Sequence, residues 1–518
     1  MANVAQRIIF CAVALTTTTA VEPSRAANIL AYFPTPSYSH HLVFRVYVEL
    51  LAEQGHHVTV LKPRTRVDFA ERANVSQIDL NSDAMLRLMK ESAPYRKRGL
   101  VADTETVTAD NYMALVRMVD DQIASAEFQQ LVAVSQERRR FDVLVVEAFI
   151  DYALVVSHLL DDLPIIQISS GHATAENFET AGAVSRHPRY YPNLWRFRFG
   201  PLGVWDSVRE LHTELRLQRE FSLLDERQDR LLQKRFDGAL TLRELRDRVQ
   251  LLFVNVHPVF DNNRPVPPSV QYLGGLHLSR RRSETLAPAV YDFLEGSRRG
   301  VVYVSFGSGL NTDNMDDELL AMFLQAFRTM PYDVLWKYDG WLNYTSIPDN
   351  LFVQKWFAQF EVLQHKNVKA FVTQAGVQST DEAVENLVPL VGVPFMGDQA
   401  FNAHKYTELG IGVALDAATL DARSLVRAVE EVASDRNAYR SNLARLRHTL
   451  RHQCVDAKRK AVWYTEHVIS TKAHTKHSLK TRAANVNYGE YCMSDLIVPL
   501  VSVSLMNHFH NLLRMLVW

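Results

Sequence analysis

The sequence predicts an α/β protein in which two doubly wound, Rossmann-like domains face each other across a cleft. Short apolar strands alternate with helical stretches in the first half of the chain, and this order is typical of parallel sheets covered on both faces. A segment rich in proline and asparagine at 262–269 interrupts the order, which resumes after residue 299. Ligands of open parallel sheets bind beyond the carboxyl ends of the strands, so the cleft is the predicted binding site.

The first half contains four apolar strand candidates, at 28–33, 57–62, 141–147 and 164–169. A helix at about 42–54 follows the first strand, and Gly55 provides its C-terminal stop. Between 208 and 248 the chain is densely charged, with leucines at helical spacing. That pattern predicts long helices with solvated faces.

The second half repeats the alternation, with strand candidates at 301–306, 333–338, 351–354, 369–373 and 389–393. A long helical pattern at about 422–470 would close this half. The predicted organisation is a signal peptide at 1–26, a first domain at 27–278, a linker at 279–298, a second domain at 299–450, and a closing helix with a tail at 451–518.

The N-terminal segment has the composition of a secretory signal. Arg7 precedes an apolar run at 8–15 that is too short to span a bilayer, and small residues follow it. A buried first strand is the alternative for this run. Export predicts a secreted, extracellular protein, and it would make the acceptor triplets at Asn74 and Asn343 candidate N-glycosylation sites.

The C-terminal part of the chain contains two cysteines and an apolar stretch. Cys454 and Cys492 would remain after export, and they could pair in an oxidising compartment or stay free. The stretch at 496–506 is shorter than the about 20 apolar residues that a membrane-spanning helix needs. We therefore expect a docked amphipathic or core segment there, and no transmembrane anchor.

Composition and motifs exclude several functions. The 57 Lys and Arg residues balance 58 Asp and Glu residues, for a formal charge of −1, so the chain lacks the basic surplus that nucleic-acid binding favours. Three cysteines are too few for a disulfide scaffold or a multi-cysteine zinc module. The adjacent histidine pairs do not have metal-ligand spacing, and neither a P-loop signature nor a nucleophile elbow occurs. We expect no bound metal, no P-loop NTPase and no α/β-hydrolase.

One strand-to-helix connection in the second half suits a phosphate group. A strand ends at Thr373, Gly376 makes a tight turn, and a helix begins near Gln378. The free N–H groups and the positive end of the helix dipole would face the cleft. Ser379 would add a hydroxyl and Gln374 an amide. An ordinary connection is the alternative.

Two further features lie just past strands of the same half. Asp398 and Gln399 together supply hydrogen-bond acceptors and donors, which suits the hydroxyl groups of a sugar. Trp356 follows the strand at 351–354 and could stack on a planar base. A core position is the alternative for this tryptophan.

In the first half, His40 follows the first strand. Imidazole titrates near neutrality, so His40 is a candidate general base for a hydroxyl nucleophile. Glu147 ends another strand of the same half, and its carboxylate could hold the imidazole in one tautomer. A solvated loop histidine is the alternative.

Together these residues resemble the UDP-glycosyltransferase family. The stretch from Trp356 to Gln399 is similar to the nucleotide-sugar signature of that family, in order and without interruption. The resemblance extends over most of the chain, because other family motifs are matched by Ser39-His40, Phe141-Asp-Val, Gly274-Gly275, Ser305-Phe-Gly-Ser308 and Ala461-Val-Trp-Tyr-Thr-Glu466.

The resemblance implies a GT-B fold and a role for each matching residue. His40, supported by Glu147, would take the proton of the acceptor hydroxyl as that oxygen attacks the anomeric carbon of glucose. Trp356 would stack on the uracil of UDP-glucose. Contacts to the ribose, the diphosphate and the glucose would come from Ser308, Gln359, Gln374, Gly376, Gln378, Ser379, Glu382, Asp398 and Gln399.

Within the family, three segments are most similar to baculovirus members that act on ecdysteroids: Thr373-Gln-Ala-Gly-Val-Gln-Ser-Thr-Asp-Glu382, Phe395-Met-Gly-Asp-Gln-Ala-Phe401 and Thr481-Arg-Ala-Ala-Asn485. The implied reaction is inverting transfer of glucose to a hydroxyl of an ecdysteroid, the insect moulting hormone, which would inactivate it. The alternatives are another UDP-hexose or small lipophilic acceptor, or a protein that binds a steroid or a UDP-sugar without catalysis.

Three positions depart from the family pattern. Gln374 stands where His is common, so a neutral amide replaces a possible cationic phosphate donor. Glu147 is one methylene longer than the usual Asp, and Ala358 replaces a frequent Pro. The acceptor pocket is less defined, because a set of aromatic residues could either line it or pack in the core: Tyr190, Tyr191, Trp195, Phe197, Phe199 and Trp205.

Overall fold

The computed structural model describes residues 26–70, 72–80, 102–138, 141–196, 199–236, 238, 240–280, 283–342, 347–434, 436–471 and 479–516. Nearly all of the predicted signal peptide lies outside the described residues. So do Asn343 and Phe197.

The strands of the described chain are β1 (Asn28–Tyr32), β2 (His57–Pro63), β3 (Val75–Leu80), β4 (Val143–Glu147), β5 (Ile165–Ser169), β6 (Val249–Val254), β7 (Val270–Tyr272), β8 (Val301–Ser305), β9 (Asp333–Lys337), β10 (Leu351–Gln354), β11 (Val368–Thr373), β12 (Leu390–Gly392) and β13 (Gly412–Ala414). They form two sheets, of order β3-β2-β1-β4-β5-β6-β7 and β10-β9-β8-β11-β12-β13. The strand pairs are parallel in both sheets. The predicted fold class, two doubly wound domains, is confirmed.

The α-helices are α1 (Tyr38–Glu53), α2 (Ala109–Ala124), α3 (Ala126–Arg138), α4 (Val155–Leu159), α5 (Ala175–Ala181), α6 (Val204–Arg235), α7 (Leu242–Asp247), α8 (Pro288–Gly296), α9 (Asp317–Thr329), α10 (Gln359–Gln364), α11 (Val377–Asn386), α12 (Gln399–Glu408), α13 (Ala422–Ala433), α14 (Tyr439–Arg451), α15 (Ala457–Thr471), α16 (Tyr488–Tyr491) and α17 (Ser494–Leu516). Short 3-10 turns occur at Asp151–Leu154, Pro258–Asp261, Leu276–Arg280 and Thr312–Asn314.

In each sheet the strand order reverses beside the first strand. β1 lies between β2 and β4, with Tyr32 paired to Val146, and β8 lies between β9 and β11, with Ser305 paired to Thr373. A crevice opens at such a reversal, because the connections leave the two neighbouring strands toward opposite faces of the sheet. Glu147, at the end of β4, therefore lies beside the segment that follows β1.

Both faces of each sheet are buried, which explains the continuous apolar strands. In β1, Leu30 packs in one core cluster and Ile29 in another on the opposite face. In β8, Val302 and Tyr303 divide in the same way between two clusters. Side chains alternate across a strand, so a strand with two covered faces is apolar at every position.

The charged region predicted as long helices forms α6 and α7, which confirms that interpretation. Four strands were not predicted from the sequence: β3, β6, β7 and β13. β6 follows the charged region directly, and β7 and β13 have three residues each, too few for a periodic signal. The segment predicted as the linker, 279–298, contains α8. The side chains of Val290 and Leu294 in this helix are buried in a core of the second domain.

The long pattern at 422–470 forms three helices with different partners. α13 and α14 pack on the second sheet, as expected. The expectation was wrong for α15, which packs on the first domain through Ala461 and Val468. There, the hydroxyls of Tyr47 and Thr465 lie 2.7 Å apart. The chain therefore returns to the first domain after it completes the second.

The expectation of a docked or core segment near the C-terminus was wrong. Leu496, Val498 and Leu500 in α17 are 57%, 61% and 69% exposed. Neighbouring residues of this helix are apolar and point in different directions, so its apolar side chains do not form a single face that could dock on the protein. Within the described chain, no helix combines the length and apolar character needed to cross a membrane. Cys454 and Cys492 are both exposed, free thiols.

Candidate active site

A cavity of about 730 Å³ lies between the two domains. It brings together every residue that the sequence analysis placed in the catalytic and donor sites: His40, Glu147, Ser308, Trp356, Gln359, Gln374, Gly376, Gln378, Ser379, Glu382, Asp398 and Gln399. The carboxyl ends of β1, β4, β8 and β11 all face this cavity, because both sheets reverse their strand order there.

His40 and Glu147 form a hydrogen-bonded pair at the wall of the first domain. α1 begins at Tyr38, so His40 lies in its first turn and not in a loop. The His40 Nδ1 atom is 2.7 Å from Glu147 Oε1. The Glu147 side chain is 2% exposed and that of His40 is 33% exposed. A carboxylate at Nδ1 favours the tautomer whose Nε2 can accept a proton.

Thr35 holds the carboxylate of this pair, and its role was not predicted from the sequence. Its hydroxyl donates to Glu147 at 2.6 Å to Oε1 and 2.7 Å to Oε2, and its backbone N–H donates to Oε2 at 3.2 Å. No spacing rule points to Thr35, because its role depends on the pairing of β1 with β4. These bonds keep the longer Glu147 side chain within reach of His40.

The neighbouring His41 has a different environment. Its side chain is fully buried and its Nδ1 lies 2.9 Å from the hydroxyl of Thr65. Burial lowers the pKa of His41 to about 4, so this imidazole stays neutral. Successive residues of a helix point in directions about 100° apart, which sends His40 to the cavity and His41 to the core.

Gln359 joins two side chains of α11 at the opposite wall. Its Nε2 donates to Ser379 Oγ at 3.0 Å and to Glu382 Oε2 at 2.7 Å. The hydroxyl of Tyr303 donates to its Oε1 at 3.4 Å. A carboxylate and a hydroxyl held side by side can bind two adjacent hydroxyl groups of a ligand.

Trp356 lies at the cavity and is 38% exposed, so the alternative of a core tryptophan is wrong. The ring of Tyr38, from the first domain, meets its indole edge-on with centroids 5.1 Å apart. The guanidinium carbon of Arg66 lies 5.9 Å from the ring centroid. These contacts hold the indole between the two domains, where a planar ligand can stack on it.

The loops after β8 and β11 meet at the base of the cavity. Gly307 has φ +71°, and a Cβ there would collide with the amide of Gln374. The buried Oε1 of Gln374 has no hydrogen-bond partner in the described part of the chain. Gly376 is the N-cap of α11 without a side-chain cap, so the first N–H groups of this ten-residue helix are available to a ligand.

Gln378 has a contact that its predicted role does not include. Its Nε2 donates to the backbone carbonyl of Ser170 in the first domain at 2.8 Å. The side chain still lines the cavity. In this structure, Gln378 connects the two domains at the start of α11.

Asp398 and Gln399 begin α12 and have different partners. Gln399 Oε1 accepts from the backbone N–H groups of Phe395 at 2.9 Å and Met396 at 3.0 Å, which orients the side chain. Asp398 Oδ2 accepts from Asn402 at 3.1 Å. The remaining oxygen of Asp398 and the Nε2 of Gln399 are groups that can bind ligand hydroxyls.

The predicted aromatic pocket is partly correct. Tyr191 and Trp195 line the cavity. Tyr190 and Trp205 are 64% and 79% exposed, so they neither line the cavity nor pack in the core. Phe199 packs on the second domain instead, with its centroid 5.3 Å from that of Phe401.

Polar groups complete the first-domain wall. Glu176 and Arg186 line the cavity, and Arg186 is 4% exposed. The Arg186 Nη2 lies 2.8 Å from Glu176 and 3.0 Å from Glu179. Ser185, Asn193 and Arg264 also line this wall. A ligand with several oxygen atoms fits such a wall better than a pure hydrocarbon.

The glycosylation triplet at Asn74 lies outside the cavity. The amide of Asn74 donates to the carbonyls of Ala52 at 2.7 Å and His56 at 2.8 Å. A glycan on this nitrogen would replace at least one of these bonds. Modification of Asn74 stays a prediction.

A buried titratable pair lies between α11, which contains Asp381, and the 3-10 turn at Leu276–Arg280, which contains His277. His277 Nδ1 and Asp381 Oδ2 are 4.0 Å apart, and both side chains are about 5% exposed. Burial, followed by the nearby charge of Glu382, raises the pKa of Asp381 to about 8, and burial lowers the pKa of His277 to about 4. At pH 7 the pair is therefore mainly neutral and not an ion pair.

In the described ranges, no group of three or more His, Cys, Asp or Glu side chains could hold a metal.

Replacing Asp381 with asparagine is expected to stabilise the protein in alkaline solution. The pKa of Asp381 is raised above its ordinary 3.8 in the folded state. The wild-type protein therefore loses stability as the pH rises from about 4 to about 8, whereas Asn does not titrate. We expect a Tm about 5 °C higher for Asp381→Asn at about pH 9, and a difference that shrinks toward pH 4.

Thermal unfolding at several pH values measures this effect. Asp349→Asn makes the same change at an exposed position, and as the matched control it should shift the Tm far less than Asp381→Asn does at about pH 9. A constant Tm difference for Asp381→Asn across the range would show that Asp381 is ionised in the folded protein.

Comparison with known proteins gives one consistent family. The profile described as "UDP-glucoronosyl and UDP-glucosyl transferase" matches residues 29–516. The chain is 71% identical over 497 residues to an ecdysteroid UDP-glucosyltransferase of Lymantria dispar multicapsid nuclear polyhedrosis virus, covering 96% of this chain and 97% of that protein. It is 43% identical to the ecdysteroid UDP-glucosyltransferase of Autographa californica nuclear polyhedrosis virus, with 96% and 99% covered.

Solved glycosyltransferase structures share the fold. Medicago truncatula UGT71G1 complexed with UDP-glucose superposes with a TM-score of 0.59 at 13% identity, covering 86% of this chain and 98% of that protein. The calicheamicin glycosyltransferase CalG4 gives a TM-score of 0.55 at 20% identity, with 87% and 100% covered. The two-domain GT-B architecture that the sequence predicts is therefore confirmed.

Proposed function

The chain belongs to the UDP-glucoronosyl and UDP-glucosyl transferase family, and we propose that it transfers glucose from UDP-glucose to a hydroxyl of an ecdysteroid, with inversion of the anomeric carbon. This reaction would inactivate the hormone. The observation that carries the proposal is that the His40–Glu147 pair and the Trp356–Gln359–Glu382 cluster line opposite walls of one cavity.

The first-domain wall supplies the base. Nε2 of His40 accepts the proton of the acceptor hydroxyl, and the oxygen forms a bond to the anomeric carbon. The bond from that carbon to the UDP oxygen breaks on the opposite side, which inverts the centre. Glu147, held by Thr35, stabilises the imidazolium that forms.

The second-domain wall holds the donor. Trp356 stacks on the uracil, and Glu382 with Gln359 binds the ribose hydroxyls. The N-terminus of α11, with Ser308 and Ser379, receives the diphosphate. Gln374 adds its neutral amide there, and Gln378 stands at the edge of this site. Asp398 and Gln399 bind the glucose hydroxyls.

Mass spectrometry of ecdysone incubated with the protein and UDP-glucose tests the proposal. We expect a product heavier than ecdysone by one hexose residue. An equal mixture of UDP-glucose and UDP-galactose identifies the preferred donor. Ligand binding without any product would instead support a non-catalytic steroid or UDP-sugar binder.

We also propose that the enzyme is secreted and that it needs no metal. Turnover should therefore persist after thorough treatment with EDTA, and loss of turnover that Mg²⁺ restores would contradict this.

Export is tested by N-terminal sequencing of protein from the medium of insect cells that express it. The sequence should begin near residue 27. Protein retained in the cells with an intact N-terminus would argue against export.

Replacing Trp356 with alanine is expected to raise the Kd of UDP about tenfold, because stacking of a base on an aromatic ring contributes about 1–3 kcal/mol. Isothermal titration calorimetry with UDP measures the effect. Trp205→Ala is the matched control, since Trp205 is 79% exposed and lies outside the cavity wall. Equal affinities of both variants would contradict the stacking role.

A further inference from the structure

The segment that follows α15 contacts the first domain behind the first-domain wall of the cavity. We call this wall, which contains Glu176 and Arg186, the acceptor wall. We call residues 479–487 the C-terminal strap. It contains the segment Thr481-Arg-Ala-Ala-Asn485, which resembles baculovirus members of the family and takes no part in the proposed reaction. The strap lies against α5 and α7, and neither helix belongs to the donor site.

Hydrogen bonds fix the strap at both ends. The hydroxyl of Thr481 donates to the carbonyl of Gly182 at 3.1 Å. The backbone N–H of Asn485 donates to the carbonyl of Glu179 at 3.0 Å. The side chain of Asn485 donates to the carbonyl of Arg243 at 2.9 Å and to Asp247 Oδ1 at 2.7 Å.

Gly182 allows the strap to approach this closely. It caps α5 with φ +75°, a conformation that favours glycine. A Cβ at Gly182 would lie 2.8 Å from the backbone nitrogen of Ala484 and closer still to the Thr481 hydroxyl. The end of α5 and the strap therefore form one packed unit.

α5 connects the strap to the cavity. Glu176, in the first turn of this helix, lines the cavity, whereas Glu179 and Gly182 at its other end bond to the strap. Both glutamates pair with Arg186, which is buried and also lines the cavity. A displacement of α5 would move Glu176 and Arg186 together.

We infer that the C-terminal strap is a positioning segment that sets the acceptor side of the cavity, acting through α5 on Glu176 and Arg186. The ligand of this wall would be a flat apolar skeleton with several oxygen substituents. The inference rests on the proposed function, because that function places the acceptor beside His40. The donor site does not depend on the strap, since its residues belong to the second domain.

The test variant is Thr481→Val with Asn485→Gly. The first change removes the hydroxyl donor at similar volume. The second removes the side-chain amide but retains a residue that adopts φ +58° without strain. We expect the KM and Kd for ecdysone to rise about fivefold, and the KM for UDP-glucose and the Kd for UDP to stay within about twofold.

Two controls and one further variant complete the design. Arg482→Ala changes an exposed strap residue, and Thr481→Ser keeps the hydroxyl, so both should retain wild-type values. If the double variant does not fold, Thr481→Val alone is used, with an expected change of about twofold to threefold. An unchanged affinity for ecdysone, or an equal loss of affinity for UDP, would overturn the inference.

Failure of the proposed function is separable from failure of this inference. Isothermal titration calorimetry with ecdysone, in the presence of UDP, reports acceptor affinity without turnover. If the wild-type protein forms no glucoside, the proposed function fails. The strap is then judged by whether the double variant weakens ecdysone binding relative to Arg482→Ala.

Discussion

Replacing His40 with alanine is expected to lower kcat about 10³-fold, because a general base contributes about 10²–10⁴-fold to such a proton transfer. The only proposed base at the acceptor wall would be lost, whereas the donor contacts come from the other domain. The Kd of UDP should therefore stay within about twofold. Steady-state rates of glucoside formation and calorimetry with UDP measure the two quantities.

His57→Ala is the matched control for this variant. His57 is exposed and begins β2, at the edge of the sheet opposite the cavity. It should retain full activity. If His40→Ala turns over at the wild-type rate, His40 is not the base and the proposed mechanism fails.

Replacing Glu147 with glutamine is expected to lower kcat about 10²-fold or more, because the amide cannot stabilise the imidazolium that His40 becomes. The side chain keeps its size, so Thr35 can still bond to the amide oxygen. The Kd of UDP should again change by less than about twofold. Single-turnover rates at saturating substrates isolate this effect from binding.

Two further variants separate the effect of the Glu147 charge from that of an unrelated glutamate. Glu127→Gln changes an exposed glutamate at the start of α3 and should leave the rate unchanged. Glu147→Asp keeps the charge but shortens the side chain, so the 2.7 Å bond to His40 is lost and we expect an intermediate rate. Full activity of Glu147→Gln would show that the carboxylate is not needed for the transfer.

The His40–Glu147 pair shows how far sequence reasoning reached. His40 follows one apolar strand and Glu147 ends another, so both were expected at the carboxyl edge of one sheet. Their contact needed the strand order, since only the pairing of β1 with β4 brings them together. The role of Thr35 could not be predicted, because Thr35 holds Glu147 through three hydrogen bonds that form only when β1 pairs with β4.

The proposed donor residues could be named from the family resemblance, because the matching motif is one continuous stretch of the chain. Trp356, Gln359, Ser379 and Glu382 belong to one continuous stretch, and helix spacing places Ser379 and Glu382 three residues apart on one face. The acceptor wall was predictable only in part. Its residues come from separate loops, and the packing of the domain sends Tyr191 into the cavity and Tyr190 to the surface.

From the sequence alone, the α/β class, the two domains and the family could be determined. The class and the two domains follow from strand and helix periodicity, and the family follows from the resemblance of its motifs. The tertiary structure decided the orientation of His40, the path of α15 back to the first domain and the support of α5 by the C-terminal strap. Each of these joins residues that are distant in sequence, and such contacts form only when the whole chain packs.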